Sequence, residues 1–129
     1  MSTDERKVKI LLVDDQVFNL ILLENLIMSN FPNAVFETAL NGKLALEKVS
    51  ESDAAGLPFE LILMDINMPE MDGLESSSLI LARFNQGKLS TKPFIAAITA
   101  YTSEDMKKKA ISNGMEKFLT KPAQIQGIN

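Results

Sequence analysis

A doubly wound α/β fold built on a parallel sheet is what this chain of 129 residues predicts, and three observations predict it. Short apolar runs alternate with helical patterns from end to end, as in successive β–α–β units with right-handed crossovers. Three of the runs are continuously apolar, as strands become when helices cover both faces of a sheet. Four runs end in polar residues, and parallel strands bring such ends to one edge.

The elements follow in order. Met1 to Lys7 is polar and expected to be a flexible lead into a single domain. Val8 to Val13 reads as the first strand, ending in Asp14-Asp15. Gln16 to Ser29 reads as a helix with Phe18, Leu22, Asn25, Leu26 and Ser29 at helical spacing, stopped by Asn30-Phe31-Pro32-Asn33. Ala34 to Ala39 alternates and is more polar, which suits an edge strand. Asn41-Gly42 opens a helix of two to three turns with Leu44, Ala45 and Val49 on one face, and Glu51 to Pro58 reads as a polar loop.

Glu60 to Met64 is the third strand. Asp65 follows it, so the acid is expected at the carboxyl end of a strand, on a loop rather than in the core. Met68-Pro69 cannot continue a ladder, because proline has no N–H, and Asp72-Gly73 starts a helix that runs from Leu74 to Asn85. Phe94 to Ile98 is a fourth buried strand, running into Thr99-Ala100. Ser103 to Asn113 is a helix with Ser103 as N-cap, Glu104/Lys108 and Asp105/Lys109 as i,i+4 pairs, and Gly114 as its closing glycine. Glu116 to Thr120 is the fifth strand, followed by Lys121-Pro122. Only Ala123 to Asn129 remain, so a fifth helix is expected to be truncated or absent unless a longer protein continues. Its absence would uncover the apolar face beside the first helix.

Composition removes several functions. There is no cysteine for disulfides or thiolate metal sites, and no histidine to act as base, zinc ligand or phosphoryl carrier. A net charge of −4, with basic residues scattered apart from Lys107-Lys108-Lys109, argues against binding nucleic acid. Apolar runs such as Leu20 to Leu23 are far too short to cross a bilayer. The expectation is a soluble, cytoplasmic domain without membrane contact of its own, even if it belongs to a larger membrane-associated sensor.

Asp14, Asp15, Asp65, Thr99 and Lys121 all fall at strand ends on one edge. The first and third strands are expected to flank the point where connections leave for opposite faces, which opens a crevice. Three carboxylates converging there need a cation. Hard oxygen donors with room left for water and a phosphoryl oxygen suit Mg²⁺ better than a caged Ca²⁺. A carboxylate in such a site can attack a phosphoryl donor while Mg²⁺ and a lysine absorb charge. Each residue also has a plainer use. Asp14 or Asp15 could cap the first helix, Asp65 could make an Asx turn, Thr99 could end a strand or cap a helix, and Lys121 could be solvated. Only their conjunction points to chemistry.

That conjunction resembles a response-regulator receiver domain of two-component and phosphorelay signalling. It is carried by Leu11-Leu12-Val13-Asp14-Asp15, Leu63-Met64-Asp65-Ile66-Asn67-Met68-Pro69-Glu70-Met71-Asp72-Gly73, Ile98-Thr99-Ala100 and Phe118-Leu119-Thr120-Lys121-Pro122. The resemblance implies a flavodoxin-like sheet of order 2-1-3-4-5. It implies that Asp65 accepts a phosphoryl group from a histidine kinase or histidine phosphotransfer domain. Asp15, Asp65 and the carbonyl of Asn67 would hold Mg²⁺, with Asp14 acting mostly through water. Thr99 would be the switch hydroxyl, Lys121 the phosphoryl partner before a cis Lys121-Pro122 bond, and Phe118 the aromatic switch. Tyr101, two residues past Thr99, is expected to shield the site from water. Asn19, completing an Asp-Asp-x-x-x-Asn pattern, resembles the receivers of hybrid histidine kinases.

Two other readings stay open. A docking scaffold that is never phosphorylated would keep the same fold. A phosphatase with an aspartyl-phosphate intermediate would need a second acid two residues after its nucleophile, and Asn67 holds that place. The resemblance therefore implies a signalling switch rather than an enzyme acting on other substrates.

Overall fold

The computed structural model describes residues 7–99 and 103–120. Its elements run β1 (Lys9–Val13), α1 (Val17–Asn30), β2 (Val35–Ala39), α2 (Gly42–Ala54), β3 (Leu61–Asp65), α3 (Gly73–Asn85), β4 (Phe94–Thr99), α4 (Glu104–Ser112) and β5 (Lys117–Thr120). The five strands are parallel and ordered β2-β1-β3-β4-β5. The expected doubly wound sheet is present, with polar β2 at one edge.

Side chains alternate across each strand and build two apolar layers. Leu11, Val13, Ile62, Met64, Ile95 and Ala97 meet α2, α3 and α4 through Ala45, Leu46, Val49, Ile80 and Ala110. Ile10, Leu12, Leu63, Ala96, Ile98 and Leu119 form the other layer with Leu20, Leu23 and Ile27 of α1. The expectation about a fifth helix concerns residues outside those described.

Four sequence expectations need correction. First, Asp65 is the last residue of β3 and only 8% exposed, not on an open loop. The following connection folds back on it, with the Gly73 N–H donating to Ile66 O at 2.9 Å. Second, α2 runs through Ala54 instead of giving way to a loop at Glu51. No breaker occurs before Gly56 (φ 81°), and the Asp53 carboxylate anchors the last turn by accepting the N–H groups of Ser90 and Thr91.

Third, the buried stripe of α1 is Leu20, Leu23 and Ile27, while Phe18 and Leu22 face solvent. This helix is apolar nearly all round, so helical spacing alone does not choose its inner face. Fourth, the Glu104/Lys108 and Asp105/Lys109 pairs do not form. The ion pairs among the described residues join Lys9 and Lys48 to Glu37. Exposed helix pairs return so little energy that solvation competes with them. Other local expectations hold. Ser103 caps α4 by accepting the Met106 N–H at 3.1 Å, and Gly114 takes φ 96° just past its end. No helix among the described residues is long and apolar enough to cross a membrane.

Candidate functional site

The strand register assembles the site. Val13 pairs with Met64 and Asp65 with Ile98, so Asp14 follows β1, Asp65 ends β3 and Thr99 ends β4, all at the carboxyl edge. Asp14 is 1% exposed and Thr99 2%, while Asp15 is half-buried. Carboxylate oxygens of Asp14, Asp15 and Asp65 all lie within 4.8 Å of one another. Two unit charges 4.8 Å apart repel by about 3.5 kcal/mol at an effective dielectric near 20. Hard oxygen donors gathered this closely fit a small divalent cation such as Mg²⁺.

Local hydrogen bonds orient two of the acids. The Gln16 N–H donates to Asp14 Oδ1 at 2.9 Å, and the Asn19 amide lies 3.4 and 3.3 Å from the two Asp14 oxygens. Asn19 therefore acts on the site directly from α1. The N-cap of α1 is Gln16 rather than either acid, and among the described residues its side chain makes no capping hydrogen bond. At Asp65, Oδ1 accepts the Asn67 N–H at 3.3 Å, so the Asx-turn alternative is met in part, alongside the acid cluster. Asp72 has the plain role expected of it and caps α3 by accepting the Glu75 N–H at 2.9 Å.

Asn67 is exposed at the start of the β3–α3 connection, with its backbone beside Asp65. Phe118 is half-buried in β5, opposite Ala97 and against the helix-covered layer, with Lys107 Nζ 6.0 Å from its ring centre. Lys121, the Lys121-Pro122 bond and Tyr101 lie outside the described residues.

One contributor does not announce its role in the sequence. A Cβ on Gly73 would fall 2.3 Å from Asp65 O and 2.9 Å from Ile66 Cα. Glycine is needed there so that α3 can start directly against the backbone of the acid. Asp72-Gly73 signals a helix start, but a helix start does not reveal which backbone the glycine will touch.

Comparison with known proteins agrees with this arrangement. The family model of the response regulator receiver domain matches residues 10–129. The osmosensing histidine protein kinase SLN1 of Saccharomyces cerevisiae is 34% identical over 120 residues, covering 92% of this chain and 9% of that protein. The chain spans from 6% to 13% of the length of such curated relatives. Among solved structures, the receiver domain of the histidine kinase CKI1 from Arabidopsis thaliana, complexed with Mg²⁺ and BeF₃⁻, superposes with a TM-score of 0.77 at 27% identity. That match covers 88% of this chain and 79% of that one. The receiver domain of Ssk1, crystallised with the histidine phosphotransfer protein Ypd1 of Saccharomyces cerevisiae, gives 0.75 at 27% identity over 90% and 79% of the two chains. With its sheet order, its acid cluster and a family match over nearly its whole length, the chain belongs to the response regulator receiver domains of two-component signalling.

Proposed function

We propose that Asp65 is the phosphoacceptor of a phosphorylation switch and that its donor is a phosphohistidine on a histidine kinase or phosphotransfer domain. The observation that carries this reading is the convergence of Asp14, Asp15 and Asp65 at the end of a buried sheet. An Asp65 carboxylate oxygen attacks phosphorus. The O–P bond forms as the P–N bond to the donor imidazole breaks, and the imidazole leaves with that electron pair and takes up a proton.

Asp15, Asp65 and the Asn67 carbonyl would hold Mg²⁺, with Asp14 acting mostly through water; the bound ion offsets negative charge on the phosphoryl oxygens. The Thr99 hydroxyl is then drawn to a phosphoryl oxygen, and the Lys121 ammonium pairs with the added charge. As Thr99 moves, Phe118 turns inward, and the surface around α4 and β5 changes. The phosphoryl group shifts this equilibrium only by its differential contacts with the two states. Tyr101 shields the acyl phosphate from water.

A macromolecular donor also needs a surface to dock on. α1 starts two residues beyond Asp15 and exposes Val17, Phe18, Ile21 and Leu22, with Phe18 73% exposed. This apolar rim beside the acids supports a protein donor. Hybrid kinases among the relatives, and the Ypd1 complex of a structural neighbour, support the phosphorelay class.

The test is incubation with a small phosphodonor, with Mg²⁺ or with a chelator, followed by intact mass. One phosphoryl adduct that needs Mg²⁺ and disappears in Asp65→Asn is expected. No adduct under any condition would favour a docking scaffold instead.

A further inference from the structure

The β3–α3 connection, residues 66–72, carries Asn67 next to the phosphoacceptor and is held from two sides. At its base the Gly73 N–H closes onto Ile66 O at 2.9 Å. Its far side rests on a different connection, the turn from β2 into α2. There the Gly42 N–H donates to Met71 O at 3.0 Å, and the buried Ser76 hydroxyl donates to Gly42 O at 2.8 Å. A Cβ on Gly42 would lie 2.5 Å from Met71 O and 2.9 Å from Asp72 O, so the two backbones are in direct contact. Asn41 adds a side-chain link. Its Oδ1 caps α2 by accepting the Leu44 N–H at 2.8 Å, while its Nδ2 donates to Glu70 Oε1 at 3.3 Å.

Glu70 is the residue under strain. It has φ 67°, and it is the only non-glycine with positive φ among the described residues. A bulky residue stays in that region only where its surroundings hold it, and glycine would occupy it freely. The surroundings here are the Asn41 amide and the backbone clamp at Gly42.

We infer that the Asn41-Gly42 turn is a positioning element for the Asp65 site, holding the loop that carries Asn67 through Met71 and Glu70. The inference rests on the phosphoacceptor reading above. Among the described residues, Asn41 and Gly42 bond to none of the three acids. They keep the Asn67 backbone in place before a ligand arrives, so that less ordering remains to be done on binding.

A double-mutant cycle tests this. Asn41→Ser keeps a capping oxygen for α2 but is too short to reach Glu70. Glu70→Ala removes the other end of the link. Two quantities are measured by NMR: amide exchange at Gly73 in metal-free protein, and Mg²⁺ affinity from the Asn67 amide shift. Asn41→Ser alone should speed Gly73 exchange and weaken Mg²⁺ by about threefold, as for a contacting pair. In the Glu70→Ala background the same substitution should change neither quantity, and the charge lost with Glu70 cancels in the comparison. Equal effects in both backgrounds, or a lower Tm with unchanged exchange and affinity, would overturn the inference. Ile27→Val, a remote core change, controls for stability. If it weakens Mg²⁺ by the same factor, the effect is not positional and the inference falls. Failure of the wild type to bind Mg²⁺ would count against the phosphoacceptor reading instead, and Gly73 exchange would still decide the link.

Discussion

Ser76 and Ser77 are neighbours on α3, both fully buried, and losing the hydroxyl should have opposite consequences at the two. Ser76 Oγ donates to Gly42 O, whereas Ser77 Oγ has no hydrogen-bond partner among the described residues. Ser76→Ala removes a buried hydrogen bond to the first carbonyl of α2 and should cost about 0.5–1.5 kcal/mol, read as a shift in urea midpoint at constant m. Ser77→Ala removes an unsatisfied buried group and should be neutral or stabilising by up to about 1 kcal/mol. Gly73→Ala should be harsher than either, because its Cβ would meet the Asp65 carbonyl at 2.3 Å. Either α3 or the acid must shift, so the variant should lose both thermal stability and phosphorylation by small donors. At this scale the place of Asp65 at a strand end was legible, since an apolar strand stops at an acid before a proline. Its burial was not, because that depends on Gly73 reaching back across the loop.

Among the elements, α1 and α2 show where periodicity carries information and where it does not. The strands were legible because short apolar runs are closely bounded by turn residues, and Asp72 and Ser103 marked their helix starts correctly. The inner face of α1 was not, because Val17, Phe18, Ile21 and Leu22 are as apolar as the buried Leu20, Leu23 and Ile27. The end of α2 was missed because the anchor of its last turn, Asp53 on Ser90 and Thr91, is a contact between distant parts of the chain. The surplus apolar surface of α1 has a use if a protein donor docks over the acids. Phe18→Ala should slow phosphotransfer from a phosphohistidine domain by about tenfold, the loss expected of an aromatic anchor, while leaving the rate with a small phosphodonor unchanged. Equal slowing with both donors would place the effect in the chemistry instead.

For the whole molecule, the sheet order does the decisive work. Placing β1 beside β3 and β3 beside β4 turns residues far apart in sequence into one cluster, and two apolar layers hold the strands in that register. Convergence of the strand ends followed from the alternation of elements, whereas the 4.8 Å spacing of the carboxylates needed the folded chain. A cation that binds only the folded state adds stability by mass action. Mg²⁺ at about 100 times its Kd should add about 2.7 kcal/mol, seen as a rise in Tm, and Asp15→Asn should shrink that rise. The most direct test of the central claim is to phosphorylate the protein with a small phosphodonor, reduce the product with borohydride and map the modified residue. An acyl phosphate at Asp65 predicts homoserine at position 65. Homoserine at position 14 or 15 instead, or none at all in protein that has taken up phosphate, would contradict Asp65 as the acceptor.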